Sequence, residues 1–156
     1  IRDTLSQIDQ RNKAYYEENA SNYAKQLDQL NSEFERGLSN CRTRYFITSH
    51  AAFGYLARRY NLIQVPITGL SPESEPSPRR MQEVVELARK HQAKVIYFET
   101  LVDPRVAETI ANEVGAKTMV LNPIESLTPE QEKAGKDYIE LMKENLQALR
   151  EGLECK

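Results

Sequence analysis

Four short apolar runs, rich in β-branched and aromatic residues, alternate with stretches of helical periodicity, and this alternation limits the possible folds more than any other feature. The runs are residues 45–48, 63–67, 94–99 and 117–121, and the helical stretches between them are 51–60, 78–92 and 104–114. Ser77-Pro78 and Asp103-Pro104 read as a cap followed by a proline start, and Gly115 reads as a helix stop. Thr128-Pro129-Glu130-Gln131 opens a last helix that is expected to reach residue 153. Strands apolar on both faces, separated by amphipathic helices, predict an α/β fold: a parallel sheet of about four strands with helices on both sides. The connector "PITGLSPESEPSP" carries four of the chain's seven prolines and is expected to be stiff and extended.

Ahead of this α/β region, residues 10–40 predict one long helix, with Tyr23, Leu27, Leu30, Phe34 and Leu38 in a stripe at steps of three and four. Asp9 is the expected N-cap, which makes residues 1–8 the tail of a preceding helix. The opening "IRDTLSQIDQ" already reads as helix and has no methionine, so the sequence is expected to be a piece of a longer protein.

With 156 residues, a formal net charge of -2 and no long apolar run, the chain has neither a basic footprint for nucleic acid nor a membrane-spanning segment. Tyr15-Tyr16 has few basic neighbours and reads as a packing face rather than a base-stacking platform. The two cysteines, Cys41 and Cys155, flank the α/β region, one before the first strand and one at the end of the last helix. If those ends meet, a disulfide would fasten the last helix to the sheet and favour an oxidising compartment; two unrelated thiols are the alternative.

Ligands of an open parallel sheet bind beyond the carboxyl ends of its strands. Ser49 and His50 emerge there after the first strand, Thr68 and Gly69 after the second, Glu99 and Thr100 after the third, and residues 122–126 after the fourth. His50 and Glu125 therefore share a rim, where an imidazole and a carboxylate can hold a divalent metal or act as an acid–base pair; a helix-capping histidine is the plainer alternative. His91, the second of the two histidines, sits in the charged helix end "ARKHQAK" and is expected to be a solvated surface residue. No phosphate-binding glycine loop, nucleophile elbow or Cys–His pair is present on the rim, which weakens enzyme readings.

"FITSHAAFGYLARRYNL", "ITGLSPESEPSP" and "NPIESLTPEQ", in that order, resemble the carboxyl-terminal lobe of the zinc-binding solute-binding proteins of bacterial ABC transporters. "NKAYYEENASNYAKQLDQL" resembles the long backbone helix that joins the two lobes of those proteins. The resemblance implies that residues 1–40 are interlobe helix, that residues 41–156 are the carboxyl-terminal lobe, and that an amino-terminal lobe lies outside this sequence. It also implies an extracytoplasmic, lipid-anchored receptor that captures Zn²⁺ between the lobes and passes it to an ABC permease. His50 and Glu125 match this lobe's metal ligands, and two further histidines are expected from the other lobe. Ser49 and Glu99 are candidates for orienting a ligand. Zn²⁺ binding by this chain alone is expected to be weak or incomplete. The long helix, exposed at Tyr15 and Tyr16, is expected to be able to self-associate. A manganese receptor of the same family, a small enzyme using His50 and Glu125, and a surface adhesin module are the other readings; imidazole at position 50 favours zinc over manganese.

Overall fold

The apolar runs become strands β1 (Tyr45–Thr48), β2 (Ile63–Pro66), β3 (Val95–Phe98) and β4 (Lys117–Val120), all parallel, in the order β2-β1-β3-β4. The computed structural model describes residues 1–71, 74–100 and 103–156; Pro72 and Glu73 of the proline-rich connector lie outside the described residues. Side chains alternate between the faces of the sheet. Ile47, Val65 and Ile96 point to one face and join Val84 and Ala88 of α4 (Pro78–Lys90) and Ala107, Ile110 and Ala111 of α5 (Arg105–Val114) in one buried cluster. Phe46 and Tyr97 point to the other, with ring centroids 6.4 Å apart in an edge-on pair. The Tyr97 hydroxyl donates to the Ala148 carbonyl at 3.0 Å, which ties that face to a helix at residues 138–152. A Cβ on Gly152 of that helix would collide with the Tyr97 ring, so only glycine lets helix and sheet approach this closely. The central strands are buried almost throughout. The outer ones are not, with Ile63 and Val120 about half exposed.

The last helical stretch is two helices where the sequence predicts one: α6 (Pro129–Lys133) and α7 (Tyr138–Gly152), the latter being the helix against Tyr97. Gly135 takes φ +69°, and the amides of Gly135 and Lys136 bond back to the carbonyls of Glu132 and Gln131, closing α6 with a left-handed turn. Asp137 then opens α7 with a capping box shared with Glu140. The helix after β1 also starts later than its periodicity implies, as α3 (Gly54–Arg59), because residues 49–53 form an irregular turn.

The chain divides into two compact units, Ile1–Glu33 and Phe34–Lys156. In the first, α1 (Arg2–Ile8) and a 3₁₀ turn (Gln10–Asn12) precede α2 (Lys13–Gly37), so the long helix starts three residues later than expected. Asp9 makes no helix-capping bond. Its carboxylate instead accepts the Asn12 side-chain amide at 2.8 Å and the Tyr16 hydroxyl at 3.0 Å, and these bonds hold its pKa below the usual carboxylate value. Tyr15 is 63% exposed, whereas Tyr16, which donates to Asp9, is half-buried. In the second unit, Phe34 and Leu38 are buried and Phe34 stacks on Tyr60 at 5.0 Å. Among the described residues no helix is long and apolar enough to cross a membrane.

Cys41 and Cys155 are joined in a disulfide, and their backbones form an antiparallel bridge. Lys156 donates to the Asn40 carbonyl at 2.9 Å, and Arg42 donates to that of Glu154 at 3.3 Å. The carboxyl terminus is thereby laced to the segment that leads into β1.

Candidate functional site

The chain leaves β1 for β2 on one side and then crosses over to β3 on the other, so the loops after β1 and β3 diverge. A crevice opens at such a switch point, beyond the carboxyl ends of the strands. Ser49 and His50 follow β1 there, and Glu99 follows β3.

The turn from Ser49 to Ala51 is held on every side. The Ser49 amide donates to the Tyr97 carbonyl at 3.0 Å, and the Ala51 amide donates to that of Gly69 at 2.9 Å. The Ser49 carbonyl accepts both the amide and the hydroxyl of Thr68, at 2.9 and 3.0 Å. The His50 carbonyl accepts the Thr48 hydroxyl at 2.7 Å and the Gln64 side-chain amide at 2.9 Å. Few conformations of the turn satisfy so many bonds at once.

The His50 side chain is buried, and its Nδ1 meets Oε1 of Glu99, which is buried as well. The Ser49 hydroxyl donates to the same oxygen at 2.9 Å. A carboxylate on Nδ1 favours the tautomer with the proton there and leaves the Nε2 lone pair as the electron donor of the ring. The Ser49 hydroxyl and the His50 ring thus meet at one oxygen of Glu99.

Glu125 is exposed and lines an open groove of about 740 Å³ together with Ser49, Glu99, Asn122, Asp103 and Arg105. Its loop is pinned from below. Asn145, on the buried face of α7, accepts the Asn122 amide at 2.8 Å and donates to the Asn122 carbonyl at 2.7 Å. The Asn122 side chain then accepts the amide of Ile124, which takes φ 63° just ahead of Glu125. On the same groove Arg105 pairs with Asp103 at 2.6 Å, and the side-chain hydrogen bond between them holds the Asp103 carboxyl below its ordinary value. Among the described residues no three His, Cys, Asp or Glu side chains gather closely enough to hold a metal ion.

His91 is not the freely solvated residue expected from sequence. It follows the last residue of α4, is half-buried, and stacks on Tyr45 with centroids 3.5 Å apart and planes 14° from parallel. Tyr45 begins β1, so His91 sits at the opposite end of the strand from His50. Sequence reasoning missed Gln64 and Asn145. Each is a polar residue inside an apolar pattern, the first in "IQVP" and the second midway between Leu141 and Leu149 on the buried face of α7.

Comparison with known proteins bears on this arrangement. Residues 1–152 match the family described as zinc-uptake complex component A, periplasmic. The high-affinity zinc uptake system protein ZnuA of Bacillus subtilis is 46% identical over 91% of the chain, and the zinc-binding lipoprotein AdcA of Streptococcus pneumoniae is 46% identical over 97%. The chain spans only 44% and 30% of those two proteins. Among solved structures, the Zn(II)-bound ZnuA-like domain of S. pneumoniae AdcA superposes with a TM-score of 0.82 at 44% identity, covering 98% of this chain and 57% of that one. The laminin-binding protein Lmb of Streptococcus agalactiae, described as having adhesin and metal-transporting activity, gives 0.89 at 35% identity, covering 97% and 58%. On the match of the family model and the identity to its members, this chain belongs to the family of periplasmic A components of zinc-uptake complexes.

Proposed function

We propose that this chain is the carboxyl-terminal lobe and interlobe helix of an extracytoplasmic receptor that captures Zn²⁺ and delivers it to an ABC permease. The observation that carries the reading is the buried contact of His50 with Glu99 at the sheet's switch point, beside the groove that Glu125 lines. Zinc here is cargo, not a resident cofactor. His50 contributes Nε2 and Glu125 a carboxylate, and Glu99 and Ser49 keep the imidazole oriented. Zinc prefers about four ligands. The chain offers two, so the remaining positions fall to an amino-terminal lobe, water or a neighbouring molecule, and binding by this chain alone is weak. A neutral imidazole is an apt donor for zinc, which favours Zn²⁺ over Mn²⁺. Residues 1–40 serve as interlobe helix and 41–156 as the lobe. The function is capture and release without covalent chemistry.

An adhesin role beside transport is a second reading, favoured by the close superposition on two streptococcal laminin-binding proteins, at TM-scores of 0.88 and 0.89. Calorimetric titration with Zn²⁺ tests the main reading. His50→Ala is expected to abolish binding and His91→Ala to leave it at parental strength. The reverse pattern would overturn the assignment.

A further inference from the structure

We infer that Gln64 is a positioning residue for His50, setting through the backbone where the imidazole can reach; this rests on the reading of His50 as a zinc ligand. Gln64 stands on β2, opposite Phe46 in the register of β1. Its side-chain nitrogen donates twice, to the Thr48 hydroxyl at 2.8 Å and to the His50 carbonyl at 2.9 Å. The Thr48 hydroxyl in turn donates to the same carbonyl at 2.7 Å. The three groups form a closed ring that uses both amide protons and the single hydroxyl proton.

The position of this ring matters because the His50 carbonyl lies two residues beyond the end of β1, where no strand neighbour is due to hold it. Glu99 grips the imidazole from β3, on one side of β1, while Gln64 grips the backbone from β2, on the other. A ring held at Nδ1 alone can still pivot as its backbone shifts. Fixing the carbonyl removes that freedom and fixes the direction of Nε2. Positioning groups around a metal-bound histidine commonly contribute about 10–100-fold to affinity. Gln64 acts one step further from the metal than Glu99, so the low end of that range applies.

The test uses the whole chain with Gln64→Leu, which removes both donors, and Gln64→Glu, which keeps the size and replaces the donor by an acceptor. Val65→Ala, the next residue on β2 and part of the core, controls for lost stability. Two properties are read: the ¹⁵N signals of the His50 ring in the metal-free chain at pH 8, and affinity for Zn²⁺. Both Gln64 variants are expected to shift the ¹⁵N signals of the His50 ring, because a displaced backbone carries the ring off its contact with Glu99, and to weaken zinc by about tenfold. Val65→Ala is expected to lower the melting temperature and change neither property. If Gln64→Leu does not fold, Gln64→Glu decides. Parental His50 signals in a folded Gln64 variant would overturn the inference, as would parental zinc affinity in a background where His50→Ala abolishes it. Equal changes in Val65→Ala would overturn it too. If His50→Ala itself keeps parental zinc binding, the metal reading falls, and the ring signals alone decide the role of Gln64.

Discussion

His50 and Glu99 leave the carboxyl ends of adjacent parallel strands, and Nδ1 of the one meets Oε1 of the other with both side chains buried. An imidazole held in this way loses its tautomeric freedom before any metal arrives. Glu99→Ala is therefore expected to weaken zinc binding by about 10–100-fold, and Glu99→Gln, which keeps an acceptor, by less. Competition titration against a chromophoric chelator measures both. Parental affinity in Glu99→Ala would show that the contact has no part in ligation.

The Asn145 side chain stands in for a strand neighbour at the end of β4, satisfying both the amide and the carbonyl of Asn122. Asn145→Ala strands two buried backbone groups and is expected to cost about 1–3 kcal/mol or somewhat more. Urea unfolding measures the loss, and hydrogen exchange at Asn122 should accelerate in step. A loss below about 0.5 kcal/mol would mean that the loop before Glu125 is held by something else.

Burial raises the pKa of Tyr97 well above the ordinary tyrosine value of 10.0. The folded state thus holds the phenolic proton more tightly than the unfolded chain does. The resulting stability is whole below pH 10.0 and drains away as the pH climbs toward the raised value of the folded state. Tyr97→Phe should lose about 1 kcal/mol at neutral pH with the bond to Ala148, yet show a flatter alkaline decline. Denaturation midpoints between pH 8 and 11 distinguish the two behaviours, and identical slopes would count against this account.

Cys41 and Cys155 close a loop across a sequence separation of 114. Their flanking backbones are already paired, so reduction should leave the fold intact and lower its stability by about 2–4 kcal/mol. The denatured, unreduced protein should show no reactive thiol. Finding two per chain would refute the pairing.

The strand runs, the cap-plus-proline helix starts and the Gly115 stop are local signals, and the α/β class was legible from their order alone. A further set of local signals divides the last helix in two: Gly135 followed by Asp137 and Glu140 spells a helix stop and a new capping box. His50 and Glu125 could be placed on one rim because strand direction in a parallel sheet dictates which loops share an end. The chain order of the strands does not dictate their order across the sheet. Only the folded sheet makes β1 and β3 neighbours, and that adjacency brings Glu99 to His50. Gln64 and Asn145 belong to the same class. A polar side chain in an apolar pattern is recognisable from sequence, but its partners, such as the His50 carbonyl and the Asn122 backbone, are chosen by packing between distant segments. The stacking of His91 on Tyr45 was decided in the same way: local charge predicted solvation, and the meeting of a helix end with the start of β1 gave the ring an aromatic neighbour instead.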